Sequence, residues 1–295
     1  MSSSSRAGWM NMQQHRHATG LPGVLFWLRQ LLLLAMFEWR RVFGNKKAWL
    51  VLLALVLVWG TLFWQVLIPL SVKLQDPTLR LMAYQGLAQL GLANLSSWRL
   101  PEVAMFWLLC CSVWPTASML LTASQTCRDR QQGTLRLLLL RTTRSQLFFG
   151  RFFGHWLLMG WLMLAVKILF LAMLAVQYRH IPWEAASQMP QLWCNAMLMI
   201  LPFVSLMALC SVWAKSSRVA LALAICSVAA LAVLVLQLRH LWPDAIELLT
   251  WLPGARLEQW FEIAAQPTTV LWYVTALQTT IFLIAGWVSM QRRAI

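Results

Sequence analysis

The chain has 295 residues, of which 60% are hydrophobic and 11% charged, with a mean hydropathy of +0.64. Soluble domains carry about 45–50% apolar and about 25% charged residues, so this balance excludes an ordinary soluble domain. The net charge of +15 would suggest nucleic acid in a soluble protein, but here the basic residues fall between apolar runs, which is the pattern of membrane orientation and not of a nucleic-acid partner.

Residues 1–20 are polar and Ser-rich, without an apolar core of signal-peptide length. They are expected to form a disordered cytoplasmic tail. His15 and His17 lack the further ligands of a structural site, which wants about four, so no metal is expected there. Residues 21–47 follow, with Pro22 suited to a first helical turn. Arg29, Glu38, Arg40 and Arg41 interrupt the apolar run too often for a span. The expected form is an interfacial amphipathic helix with Trp27 and Trp39 at headgroup depth. A true span over 21–37 is the alternative, because residues 31–37 are wholly apolar.

Six better spans come next, at 48–70, 103–123, 152–176, 192–214, 219–238 and 270–290. Each is long enough for a hydrocarbon core of about 30 Å. The predicted fold class is therefore an all-α integral membrane protein, with residues 48–295 as one six-span transmembrane domain. Pro115 and Pro202 fall mid-span, where a kink is tolerated if neighbours satisfy the freed carbonyl. Between spans, Asp76-Pro77 resembles a helix start before a short helix at 78–95. Residues 242–267 read as two short helices broken at Pro253-Gly254, with Trp242, Trp251 and Trp260 as interfacial anchors.

Charge sets the orientation. If the N-terminus, 124–151, 214–218 and the C-terminus share one side, that side holds seventeen of the 24 basic residues against Glu38 and Asp129. The other side holds Lys73, Arg80, Arg99, Arg179, Arg239 and Arg256 against the remaining seven acids. By the positive-inside rule both termini are cytoplasmic, and the chain is a multi-pass protein of the cytoplasmic (inner) membrane. The six cysteines (Cys110, Cys111, Cys127, Cys194, Cys210, Cys226) lie in or beside apolar runs, so no disulfide framework is expected.

The stretch 127–154 (CRDRQQGTLRLLLLRTTRSQLFFGRFFG) is the one long basic segment caught between spans. Arg128, Arg130, Arg136, Arg141, Arg144 and Arg151 stand against Asp129 alone. Gly133 permits a tight turn after the second span. Thr134 has the chemistry to cap LRLLLLR, a helix of about two turns. Thr143-Arg144-Ser145-Gln146 fits a capping box that launches the third span at Arg144. A short apolar helix ringed by charge needs a partner surface or the lipid headgroups. Plain anchoring of arginines on anionic lipid is the simpler alternative.

From Thr126 the order T-x-x-x-x-x-x-G-T-L-x-x-L-L-L, then T-R-S-Q-L-F-F-G-R-F-F-G-H, resembles the ABC-2-type permease family, the membrane subunits of ATP-binding-cassette exporters. The positions concerned are Gly133, Thr134, Leu135, Leu137 to Leu140, Thr143, Arg144, Gly150, Arg151, Phe152 and Gly154. The six spans, the amphipathic helix before them and the near-absent loop at 214–218 agree with it. The resemblance implies that residues 133–141 form a coupling helix docking on a separate ATPase subunit, and that Lys215 and Arg218 form a smaller second contact. Arg128, Asp129, Arg130, Gly133, Thr134, Leu135, Arg136, Arg141 and Arg144 complete the implied ATPase-coupling set. The family usually has Glu just before the Gly-Thr, whereas Cys127-Arg128-Asp129-Arg130-Gln131-Gln132 keeps only Asp129 of that sign. The chain has no GxxxxGK[ST] phosphate loop, so ATP and Mg are expected on the ATPase partner, with no cofactor in this chain. Six spans in this family make half a transporter, which implies a second permease copy, identical or closely related.

Lys167 lies near the middle of the third span, where a charge costs roughly 2.5–3.5 kcal/mol. It is a candidate for the substrate pathway, as attraction for an anionic group, or else a structural lysine. The spans read from sequence contain no carboxylate to pair with it, which also argues against proton coupling. Gly150 and Gly154 allow close helix approach. Gln65, Asn195 and Gln278 are expected to make interhelical hydrogen bonds, and Met189, Met197, Met199 and Met207 to pack as core. His155, His180 and His240 are expected at the interface. HExxH and GxSxG are absent, so no catalytic residues are expected and the chain is read as a transport subunit and not an enzyme. A secondary transporter and an intramembrane enzyme are the competing readings.

Overall fold

The computed structural model describes residues 46–73, 100–123, 125–134, 142–241 and 269–292, with isolated positions between them. The expected tail at 1–20, nearly all of the interfacial helix at 21–47, most of the short helix at 78–95 and the outer segment 242–267 lie outside the described residues.

Every regular element described is helical. In chain order these are α1 (Lys46–Leu62), a π-helical stretch (Phe63–Leu67), α2 (Ile68–Lys73), α3 (Pro101–Thr122), α4 (Cys127–Gln131), α5 (Arg144–Tyr178), α6 (Trp183–Trp213), α7 (Ser217–Leu241) and α8 (Thr269–Arg292). Among the described residues six helices are long and apolar enough to cross a membrane, counting α1 through α2 as one. This is the pattern of a multi-pass membrane protein.

The helices outrun the apolar stretches that announce them. α5 has 35 residues, about 52 Å at about 1.5 Å per residue, against a hydrocarbon core of about 30 Å. It begins at Arg144 and not at 152, because its capping box starts the helix on polar residues before the apolar run. α6 likewise begins at Trp183, nine residues ahead of the stretch at 192–214, and runs through both Pro190 and Pro202. These longer helices correct one sequence expectation. Glu102 and Glu184 stand in the first turns of α3 and α6, so the spans are not free of carboxylates. Glu102 is buried and accepts a 2.7 Å hydrogen bond from the Tyr178 hydroxyl at the far end of α5. Three residues past α2, Asp76 accepts from the Thr78 backbone N–H at 3.1 Å and its hydroxyl at 2.8 Å. The hydroxyl bond, with the backbone bond, holds the Asp76 carboxyl below its ordinary range, and the contact is that of a helix N-cap.

α6 is the hub of the bundle. It packs on α3, α5, α7 and α8, and 78% of its apolar window is buried, against 11% for α7. An apolar helix buried all round belongs at the centre, and one buried on a narrow strip belongs at the edge. α8 comes close to α6 at Gly286, where a Cβ would meet Phe148 Cζ at 2.7 Å and Leu209 Cα at 3.3 Å.

An aromatic cluster ties α1, α3 and α5 together. Phe106 and Phe170 stack with centroids 4.2 Å apart, and Phe63 meets both edge-on at 5.7 and 5.4 Å. Trp59 stacks on Trp114 at 6.1 Å. The pairings put Phe63 opposite Phe106 and Trp59 opposite Trp114, so α1 and α3 run antiparallel.

Candidate functional site

The segment between α3 and α5 forms an elbow at one end of the bundle. The sequence places a turn at Gly133 directly after the second span, but the structure inserts α4 first. Residues Gln125 and Thr126 turn the chain, α4 follows, and only then comes Gly133. α4 has five residues, far fewer than the roughly 12–15 at which an isolated helix becomes even marginal, so its place is set by side-chain ties to its neighbours.

Those ties are specific. The Thr126 hydroxyl donates to Ser211 Oγ at 2.8 Å, and Ser211 donates onward to Ala208 O at 2.9 Å. The Cys127 thiol donates to Ser211 O at 3.2 Å, and Arg130 Nη1 donates to Ala214 O at 3.3 Å. All three bonds from the elbow therefore end on the last turn or C-cap of α6, whose final carbonyls lack intrahelical donors. From the other side, Arg151 of α5 pairs with Asp129 and donates through Nη1 to Gln125 O. The Asp129 and Arg151 side chains are 3% and 2% exposed. Burial raises the Cys127 thiol above its ordinary value, with Arg130 partly offsetting it.

Beyond α4 the chain turns at Gly133, and of the residues described after it Thr134 and Leu138 are half-buried, Leu138 against the main core. Gly133 has φ +69° and a Cβ there would meet no atom within 4 Å. The demand at Gly133 is thus conformational and not steric, since the left-handed region costs an L-residue roughly 1–2 kcal/mol. Gln131, Gln132 and Gly133 are exposed, and Leu140 is 80% exposed. Thr134 is itself helical, and its hydroxyl faces Asp129 O at 3.4 Å. Leu138 is helical and accepts from the Thr142 backbone at 3.0 Å. Leu135, Arg136, Arg141 and the Arg128 side chain lie outside the described residues, so the expected helix at 133–141 is seen only at these points.

The second expected helix start is present as read. Thr143 Oγ1 accepts from the Gln146 backbone at 3.3 Å, and Gln146 Oε1 accepts from the Thr143 backbone at 3.0 Å. Arg144 reaches across to α8, donating to Met290 O at 3.3 Å and Gln291 O at 2.9 Å. There it caps a helix C-terminus, where a cation complements the dipole. Ser145 beside it accepts from Trp287 Nε1 at 2.9 Å and Gln291 Nε2 at 3.1 Å. Lys215 and Arg218 stand exposed at the short α6–α7 turn, next to the elbow.

The residues implicated by sequence thus divide. Gly133, Lys215 and Arg218 are exposed, Asp129 is turned inward, and Arg130 and Arg144 are engaged on helix ends. Sequence reasoning passed over Arg151 and Ser211 as site residues. Asp129, the lone acid among six arginines, was the available signal that one of them is its partner.

His155 is buried in α5, with Nδ1 2.9 Å from Arg151 O. One further expectation changes. Neither amide atom of the buried Asn195 has a hydrogen-bond partner among the described residues. Lys167 is 2% exposed, its Nζ also finds no hydrogen-bond partner there, and Cys110, Cys194 and Cys111 are its electrostatic neighbours. It lies inside the bundle and faces no open surface of the single chain. No known family model and no curated protein matches the chain.

Proposed function

We propose that the chain is the permease subunit of an ATP-binding-cassette exporter, coupled through residues 133–141 to a separate ATPase. The observation that carries this reading is the anchored elbow. α4 is tied to α5 and α6, and directly after it the chain turns at Gly133, exposed at Gln132, Gly133 and Leu140 and half-buried at Thr134 and Leu138. An exposed turn at the tip of a fixed base suits a part that receives a push from a partner. A loop that merely rests on headgroups would not require a base tied to two spans. Lys215 and Arg218 are exposed at the α6–α7 turn, whose Ala214 carbonyl accepts from Arg130 of the elbow.

In this reading the positive-inside balance puts the elbow and both termini in the cytoplasm of an inner-membrane protein. ATP and Mg sit on the partner, a second copy of the chain completes the transporter, and lipid surrounds the exposed apolar faces of α1 and α7. Lys167 is the candidate pathway residue, as a counter-charge for an anionic substrate group.

The test is co-expression with an ATPase encoded beside the chain, followed by purification and measurement of ATPase stimulation. Gly133→Pro, or charge reversal at Arg136 and Arg141, should abolish stimulation while leaving membrane insertion intact. Normal stimulation in both variants would make the elbow an anchor only.

A further inference from the structure

Resting on that reading, we propose that the Asp129–Arg151 pair is the joint that makes the elbow move as one body with α5 and α6, with Asp129, Arg151 and Ser211 acting as positioning residues for coupling. The guanidinium does two jobs at once. One nitrogen meets the Asp129 carboxylate on α4, and another holds the Gln125 carbonyl in the turn before it. A planar fork is suited to such a bracket, and a lysine ammonium on the same stem is not. On the opposite side Ser211 receives both Thr126 and Cys127, so the short helix is gripped between two long ones.

The grip decides what a force on the tip does. With α4 pinned on both sides, displacement at Gln132 and Gly133 is delivered to α5 through Arg151 and to α6 through Ser211. Without Arg151, α4 keeps its links to α6 and its packing on α7 but loses the bracket to α5, and the push no longer reaches α5. The same geometry removes Asp129 from the docking surface. Its carboxylate is spent inside the protein, and the partner reads the exposed residues beyond it.

The test uses the full chain in detergent, alone and with the ATPase. Cys127 lies in the gripped helix and is 1% exposed, so its alkylation by a polar maleimide, followed by peptide mass spectrometry, reports whether the grip is closed. Wild type should stay protected, and Arg151→Lys, Arg151→Met and Asp129→Asn should react at least about tenfold faster as the elbow opens locally. The Asp129→Leu/Arg151→Met pair removes both charges and separates packing from coupling. It should melt near wild type and capture the ATPase, yet lose stimulation with the ATP KM unchanged. Full stimulation in that double variant, or equal Cys127 protection in Arg151→Lys, overturns the proposal. If the wild-type chain captures no ATPase, the transport reading falls and with it the coupling role, whereas the alkylation rates still decide whether the grip exists.

Discussion

Thr126 donates to Ser211 at 2.8 Å across 85 residues of sequence, and this contact pins the turn after α3 to the last turn of α6. Both residues are buried, Ser211 at 1% exposure. Ser211→Ala leaves the Thr126 hydroxyl without that acceptor and should destabilise the protein by about 1–2 kcal/mol. A thermal melt in detergent reads the effect, and an unshifted midpoint would show that the contact carries no stability.

Gly286 allows the close packing of α8 on α6. Alanine there would set its Cβ against the Phe148 ring at 2.7 Å and the Leu209 backbone at 3.3 Å. The Phe148 ring must shift and the Leu209 backbone must give by a few tenths of an ångström, so Gly286→Ala should cost about 1–3 kcal/mol as overpacking. Gly60, whose added Cβ would meet nothing within 4 Å, is the internal control and should tolerate alanine.

The Cys127 thiol carries a pH dependence. Its value lies above the ordinary 9.0 because burial disfavours the thiolate. The folded state therefore holds the proton more tightly than the unfolded one. The stability from Cys127 is fully present below pH 9.0 and is lost as pH rises from there through the folded value. Cys127→Ser should flatten the alkaline limb of the stability profile, and an unchanged limb would assign the loss to other groups.

Lys167→Met removes an ammonium that is buried without a hydrogen-bond partner among the described residues. The variant should melt higher, by no more than the roughly 2.5–3.5 kcal/mol that a central charge costs. If Lys167 serves the substrate pathway, transport falls while assembly persists. A higher melting point with unchanged transport makes it a structural residue.

How far the sequence could be read depended on how local each feature was. The spans were legible because about twenty apolar residues in a row have few alternatives. The start of α5 was legible because Thr143 and Gln146 satisfy each other within one turn. The start of α6 was not, since Pro190 and the polar residues at its front continue a helix only because the bundle supports them. Arg144 looked like a surface contact, but its partners are the Met290 and Gln291 carbonyls, almost 150 residues later. The inward turn of Asp129 was hidden for the same reason. Its partner was visible as a residue, but the fold alone selects Arg151 among the six nearby arginines.

The most direct measurement of the central claim is photo-cross-linking from position 132, exposed beside the Gly133 turn. A cross-linker replacing Gln132 in the membrane-embedded chain should trap one polypeptide carrying a phosphate-loop ATPase domain. That adduct should disappear with Gly133→Pro. Adducts with lipid alone, unaffected by Gly133→Pro, would contradict the account and leave the elbow as an anchor on the headgroups.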